Sequence, residues 1–251
     1  MYLKKMGQVF ALQLAAFLIS QPTYASWFGG SGFSGDSIRE EKEKTPQPYS
    51  AHVEPFQEEH LSTSPLLRRF SLVVVVNKAE RGRTAQTIRI YDHGRLIVRE
   101  HVSTGREIFE MRSWIPGVFH GPKKSYWSIT PTGYFTSQWL SKDHESVSWN
   151  GTEMPWAIFI DIEDGIALHA APKGTEDALG GRASGGCIRL RPALAEWLFN
   201  RVFAGSGASI PRFTQDGELI LDSQGQVEYS NRTSIKEPAS DVIFIVENVI
   251  E

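Results

Sequence analysis

A single thiol stands out in this sequence, because the chain of 251 residues contains one cysteine, Cys187. Two glycines precede it in the segment ASGGCIRL, and Arg189 follows two residues later. Paired glycines allow the backbone to approach a substrate closely. The guanidinium of Arg189 favours a thiolate nearby and can bind a carboxylate through two hydrogen bonds. These residue types in this order predict a nucleophilic cysteine, whereas the alternative is a small buried side chain.

A catalytic thiol needs a group that takes its proton, and that group is usually histidine. Among the seven histidines, His169 ends an apolar segment that reads as a strand, and the chain then loops out and returns to Cys187. This placement predicts His169 as the general base, with a histidine satisfied within the core as the alternative. One thiol and one histidine do not supply the four ligands of a zinc site, so we expect no metal.

The residues around the thiol suggest roles in binding. Gly185 and Gly186 are predicted to shape an oxyanion hole from backbone N–H groups. Arg189 is predicted to contact substrate, although a surface charge or a structural ion pair would also explain it. Ser184 either contacts substrate or caps a turn, and its residue type slightly favours the turn.

The remaining pattern predicts mostly β structure. β-Branched or alternating segments and turn residues indicate strands at 71–78, in a hairpin over 86–105, at 130–135, in a second hairpin over 155–169, and in three short segments after residue 216. One convincing helix follows residue 191, with Pro192 in its first turn. We therefore expect a β-sandwich or open barrel with one principal helix. The irregular segment 106–129 carries several aromatic residues, which could form a lid or pack onto the core.

The N-terminal sequence has the features of an export signal. Two lysines, a short apolar run and small residues before position 26 predict a signal peptide over 1–25. Residues 26–66 are predicted to form a flexible linker, 67–206 a catalytic domain, and 207–251 a C-terminal β extension of the same domain. Export makes an unpaired cysteine unusual and favours a reactive role.

Charge excludes one class of partner. The full chain carries a formal net charge of −3. Residues 1–25 contain two lysines and no acidic residue, so their removal leaves 24 basic against 29 acidic residues, a net charge of −5. A nucleic-acid partner would call for a basic surface, so we expect none. No later segment is apolar enough for a membrane helix, so we expect no membrane association after cleavage.

Four segments together resemble the L,D-transpeptidase family with the YkuD-type catalytic domain. They are VSTG at 102–105, TPTGYF at 130–135, MPWAIFI at 154–160, and ALHAAP followed by ASGGCIRL. The resemblance implies that Cys187 attacks peptidoglycan stem peptides between an L-centre and a D-residue and forms a thioester. It implies His169 as the base, the backbone carbonyl of Ala170 as the third group, and no metal or organic cofactor. An amine would then resolve the thioester and give a cross-link or an attached envelope protein.

One departure and two alternatives accompany this resemblance. Many members of the family carry histidine where this chain has Gly185, which leaves the rate and the choice of acceptor open. Water as the acceptor would make the protein an L,D-carboxypeptidase or hydrolase, and loss of turnover would leave a peptidoglycan-binding domain. In each case we expect the protein in the periplasm or the cell wall.

Overall fold

The structure is a computed structural model, and it describes residues 35–111, 124–149, 151–230 and 240–250. The predicted signal peptide and the first part of the predicted linker lie outside the described residues. The strands are β1 (Leu72–Asn77), β2 (Thr87–Asp92), β3 (Arg95–His101), β4 (Thr104–Gly105), β5 (Phe109–Glu110), β6 (Tyr126–Trp127), β7 (Gly133–Thr136), β8 (Trp139–Ser146), β9 (Thr152–Asp161), β10 (Ile166–Ala170), β11 (Arg182–Ser184), β12 (Ile188–Leu190), β13 (Ile210–Pro211), β14 (Tyr229–Ser230) and β15 (Val242–Glu247). The α-helices are α1 (Gly35–Lys44), α2 (His60–Thr63) and α3 (Pro192–Ala204), and short 3₁₀ helices span Leu67–Arg69, Val147–Trp149 and Glu176–Ala178.

Two strands at the centre of the larger sheet are buried on both faces. The sheet has the order β3-β2-β1-β15-β7, and β1 pairs with β15 in parallel. Val74 and Val76 of β1 face the main core, while Val73 and Val75 face a second hydrophobic cluster. A strand covered on both sides reads as a continuous apolar run, which is why the run of four valines forms one.

The main core lies between this sheet and a second one. The second sheet has the order β12-β10-β9-β8. Apolar side chains of both sheets meet there, together with the buried face of α3, which includes Leu194, Leu198 and Val202. The mainly β class with one principal helix is therefore confirmed, and α3 begins beside the predicted position.

The second hydrophobic cluster is covered by residues that the sequence pattern assigned to the linker. Phe56 and Leu66 are buried against the outer face of the larger sheet. The ring of Phe56 lies 5.3 Å from that of Tyr91, and its backbone N–H donates to the Glu247 carboxylate over 2.8 Å. Residues 51–66 therefore do not form the expected flexible linker, because their apolar side chains pack against Val73 and Val75 on the outer face of the larger sheet.

We expect Phe56→Ala to lower the free energy of unfolding by about 3 kcal/mol or more, since it removes a buried ring. Thermal or denaturant unfolding of the variant measures the loss. The matched control is Tyr49→Ala, because Tyr49 lies in the same segment but is 63% exposed. Equal midpoints for the two variants would contradict the packing and restore the segment as a linker.

The C-terminal part is only partly as predicted. β15 is an interior strand of the larger sheet, between β1 and β7, so this part of 207–251 is integral to the domain. The segments at 217–222 and 225–230 form isolated bridges and the short strand β14 instead of full strands. None of the helices in the described part of the chain is long and apolar enough to cross a membrane.

Candidate active site

The thiol and the imidazole lie on one face of the second sheet. β10 pairs in parallel with β12, and His169 lies opposite Arg189. Cys187 precedes Arg189 by two residues and lies just before β12, so continuing the same register places it beside Ala167, in whose cluster it packs. Because side chains alternate between the faces of a sheet, these four residues share one face. Leu168 and Ile188 occupy the other face, in the main core.

The thiol of Cys187 is half-buried against an apolar wall. It packs beside Ala167 and Phe159, and the Phe159 ring stacks on Trp139 with 4.7 Å between centroids. Its Sγ donates a hydrogen bond to the Gly165 carbonyl oxygen over 3.4 Å. Burial raises the pKa of Cys187 above its usual value, although the Arg189 charge opposes this. At neutral pH the group is therefore a protonated thiol.

His169 is buried, with 3% of its surface exposed, and its ring orientation is fixed. The Nδ1 atom lies 2.7 Å from the Ala170 carbonyl oxygen, so Nδ1 carries the proton and donates it there. This leaves the Nε2 lone pair as the proton acceptor. Burial, assisted by the Arg189 charge, lowers the pKa of His169 to about 4. The imidazole is therefore neutral at neutral pH.

The two groups are not yet joined by a hydrogen bond within the described residues, since the thiol donates to Gly165. Catalytic hydrogen bonds often form only once substrate is bound. The structure thus provides an uncharged thiol just before β12 as the donor and an uncharged imidazole on the neighbouring β10 as the acceptor.

A tight turn holds the residues before the thiol. The Ser184 hydroxyl donates to the Cys187 carbonyl oxygen and accepts from the Gly186 N–H over 3.1 Å. Ser184 is fully buried and its hydroxyl is engaged in both bonds, so this geometry fits the turn role. The Gly186 N–H is likewise engaged, which does not fit the oxyanion role expected of it. Gly186 itself is required, because its φ is +131° and a Cβ would lie 3.0 Å from the Ile129 carbonyl oxygen.

A buried network that the sequence analysis missed supports this turn. The Thr130 hydroxyl donates to the Gly186 carbonyl oxygen over 2.6 Å. Glu107 accepts from the Thr130 N–H over 3.1 Å and pairs with Lys78 over 2.8 Å. The Lys78 ammonium also donates to the Thr130 carbonyl oxygen over 2.6 Å. The segment TPTGYF, which contains Thr130, was among the segments that resemble the family. No pattern in the sequence indicated a role for Lys78.

Arg189 lies beside a second guanidinium. Both Arg189 and Arg106 donate to the Ala183 carbonyl oxygen, over 3.3 Å and 2.8 Å. Arg106 also pairs with Glu110 and lies 5.7 Å from the centroid of the Trp149 ring. The Nε of Arg189 is buried and has no hydrogen-bond partner among the described residues. The region next to the thiol therefore carries two guanidinium groups and one carboxylate.

Two aromatic side chains fill the space above Gly185. A Cβ at this position would lie 2.6 Å from the Tyr126 hydroxyl and 3.0 Å from the Trp149 ring. The two rings meet edge to face, with 5.8 Å between centroids. Gly185 is thus required by the side chains packed over it, and they belong to segments that the sequence did not link to the thiol.

No group of three or more histidine, cysteine, aspartate or glutamate side chains that could hold a metal ion occurs in the part of the chain that the structure describes.

Comparison with known proteins gives one family. Residues 71–210 match the family model of YkuD, the L,D-transpeptidase catalytic domain, which covers more than half of the chain. No curated protein is significantly similar in sequence to this chain.

Several solved L,D-transpeptidases are also similar to it. The structure from Xylanimonas cellulosilytica has 16% identity and a TM-score of 0.42, over 80% of this chain and 63% of the other. An L,D-transpeptidase from Mycobacterium smegmatis has 14% identity and a TM-score of 0.41, over 71% of this chain and 59% of the other. An L,D-transpeptidase from Mycobacterium tuberculosis has 18% identity and a TM-score of 0.40, over 71% of this chain and 58% of the other. The chain thus spans about three fifths of the length of these proteins.

Proposed function

Because this chain belongs to the family of YkuD-type L,D-transpeptidase catalytic domains, we propose that it is a cysteine acyltransferase that acts on peptidoglycan stem peptides. The observation that carries the proposal is the parallel pairing of β10 with β12, which sets Cys187 and His169 on one face of the sheet. The third member is the Ala170 carbonyl, which accepts from Nδ1 of the imidazole.

The reaction follows from these three groups. Sγ of Cys187 attacks the carbonyl carbon between the L-centre and the D-residue, while the thiol proton moves to Nε2 of His169. The C–N bond then breaks, and the leaving amine takes that proton from the imidazole. A thioester remains on Cys187. An acceptor amine attacks this thioester and forms a new amide, and its proton passes through His169 to the departing sulfur.

The charge state favours a general-base mechanism over a preformed ion pair. Burial raises the pKa of Cys187 and lowers that of His169 to about 4. Both groups are therefore neutral at rest, and the proton moves as the Sγ–C bond forms. The Ala170 carbonyl fixes the tautomer and stabilises the imidazolium that then appears.

The developing oxyanion needs backbone donors that are free. The Gly186 N–H already donates to Ser184. We assign the role to the N–H groups of Gly185 and Cys187, which lie on either side of it. The positive φ of Gly186 sets the relative direction of these two groups.

We place the protein in the periplasm or the cell wall, on the predicted signal peptide and the predicted substrate. The acceptor is an amine of a second stem peptide or of an envelope protein. The test is to incubate the protein without residues 1–25 with purified tetrapeptide muropeptides and to weigh the products. Cross-linked dimers support the proposal, tripeptides indicate water as the acceptor, and unchanged peptides indicate a binding domain.

Arg189 is proposed to bind a carboxylate of the stem peptide beside the thiol. We expect Arg189→Lys to keep the fold, because the charge remains, and to keep thiol alkylation. It should lower kcat/KM by about 10-fold or more, ~1.5–3 kcal/mol, since lysine cannot form the two-bond contact. Steady-state kinetics on the tetrapeptide measure this, with Arg191→Lys as control, because Arg191 is 61% exposed. Equal kinetics for the two variants would make the role of Arg189 structural.

A further inference from the structure

The strands β5 and β6 and the preceding Arg106 have no role in the chemistry described so far, yet they lie beside the turn that carries the thiol. The two strands pair with each other, and Tyr126 of β6 lies over Gly185. Arg106 precedes β5 and shares the Ala183 carbonyl oxygen with Arg189. These residues thus bring a hydroxyl and a guanidinium to the edge of the site.

Two buried donors face this edge without an acceptor. The Tyr126 hydroxyl and the Arg189 Nε are both buried, and neither donates a hydrogen bond to a described residue. The Arg106 guanidinium lies beside the Tyr126 hydroxyl, but it can only donate, so it does not take the hydroxyl proton. A buried donor without an acceptor costs free energy of folding, so such groups commonly serve a ligand. Here both belong to side chains that adjoin the ASGGC turn, one packed over Gly185 and the other two residues after the thiol.

We propose that Tyr126 is a substrate-binding residue, whose hydroxyl joins Arg189 in a subsite for a carboxylate of the donor peptide. The inference rests on the proposed function for the identity of that peptide. The Tyr126 hydroxyl occupies the space over Gly185 that a side chain at this position would fill.

The charges fit a monoanion. Arg106 and Arg189 bring two positive charges, and Glu110 pairs with Arg106 and offsets one of them. Burial raises the pKa of Tyr126 well above its usual value, so the hydroxyl keeps its proton and acts as a donor. A carboxylate can accept from this hydroxyl and from a guanidinium N–H together.

The experiment compares Tyr126→Phe with the wild type on a tetrapeptide with free carboxylates. We expect kcat/KM to fall about tenfold, the size of one hydrogen bond to a charged group. The thermal midpoint should stay equal or rise, because the buried hydroxyl proton has no acceptor in the described part of the protein to lose. Tyr91→Phe is the control: Tyr91 donates to Glu58 over 3.2 Å on the outer face of the larger sheet, so its variant should keep kcat/KM.

Two amidated peptides identify the carboxylate. One carries an amide at the D-centre of diaminopimelate, and the other carries it at the C-terminus of the D-residue. For the peptide whose amide replaces the bound carboxylate, the losses from amidation and from Tyr126→Phe should not add. If the losses add for both peptides, the hydroxyl contacts neither carboxylate and the inference is overturned.

A second measurement does not depend on peptidoglycan. Because the chain has one cysteine, alkylation reports on Cys187 alone. We expect the ratio of rate constants for iodoacetate and iodoacetamide to fall in Tyr126→Phe and to stay constant in Tyr91→Phe. If the wild type does not process any stem peptide, the proposed function fails, and this ratio still decides whether the subsite prefers a carboxylate. An unchanged ratio in Tyr126→Phe would then overturn the subsite.

Discussion

Cys187→Ala should abolish turnover of the tetrapeptide, with a loss of roughly 10⁴-fold or more, because no other group can form the thioester. The described part of the chain offers no second thiol, and the sequence has none. The fold should persist, since the side chain is half-buried and alanine removes one sulfur atom at the end of an apolar cluster. Product analysis by mass and a thermal melt measure the two outcomes.

Covalent labelling gives the same test without a stem peptide. Penem- and carbapenem-type β-lactams, which acylate the family, should add once to the wild type and not at all to Cys187→Ala. The intact mass of the protein records the adduct. An adduct that persists in Cys187→Ala would place the nucleophile at another residue and would sink the mechanism.

The two residues proposed to carry the chemistry can be located from the sequence because they lie close to one another along the chain. The segment from His169 to Cys187 contains the strand, the loop and the glycine turn, so local patterns locate both groups. The run of valines in β1 was also readable, since burial on both faces leaves a continuous apolar segment. The roles within the turn were not, because the bond from the Gly186 N–H to Ser184 depends on backbone angles.

The parts that the sequence analysis missed depend on contacts between distant segments. β8 (Trp139–Ser146) is half-exposed and mostly polar, so it has no apolar alternation to read. The segment 51–66 buries only a few apolar residues among charges and prolines, so its composition resembles a linker. Tyr126 and Gly185 are 59 positions apart by their residue numbers, and only the folded chain brings the hydroxyl over the glycine.

The uncharged Cys187–His169 pair predicts a distinctive pH profile. A preformed thiolate–imidazolium pair would give an alkylation rate that reaches a plateau below neutral pH. Here the pKa of the thiol is raised and that of the imidazole is lowered to about 4. The usual pKa of a thiol is about 8.5, and that of Cys187 is higher. We therefore expect the iodoacetamide rate of the wild type to rise continuously between pH 5 and 8, because the fraction of thiolate grows throughout this interval. A plateau in that interval would show an ion pair.

The same low pKa links His169 to stability. The unfolded chain binds a proton at His169 near pH 6.5, whereas the folded chain does so only near pH 4. Between these values the unfolded state holds more protons, so the free energy of unfolding falls as the pH is lowered. His169→Ala should remove this part of the acid sensitivity. The difference between the free energies of unfolding at pH 7 and pH 5, measured for the wild type and the variant, tests this.

His169→Ala should lower turnover by about 10²–10⁴-fold, the contribution of a positioned general base. The thiol remains in place in this variant, so acylation becomes slow and depends on hydroxide or on a solvent base. The control is His52→Ala, because His52 is exposed and interacts with Glu54 away from the thiol. Unchanged turnover in His169→Ala would assign the base to another residue, with His120, outside the described residues, as the next candidate.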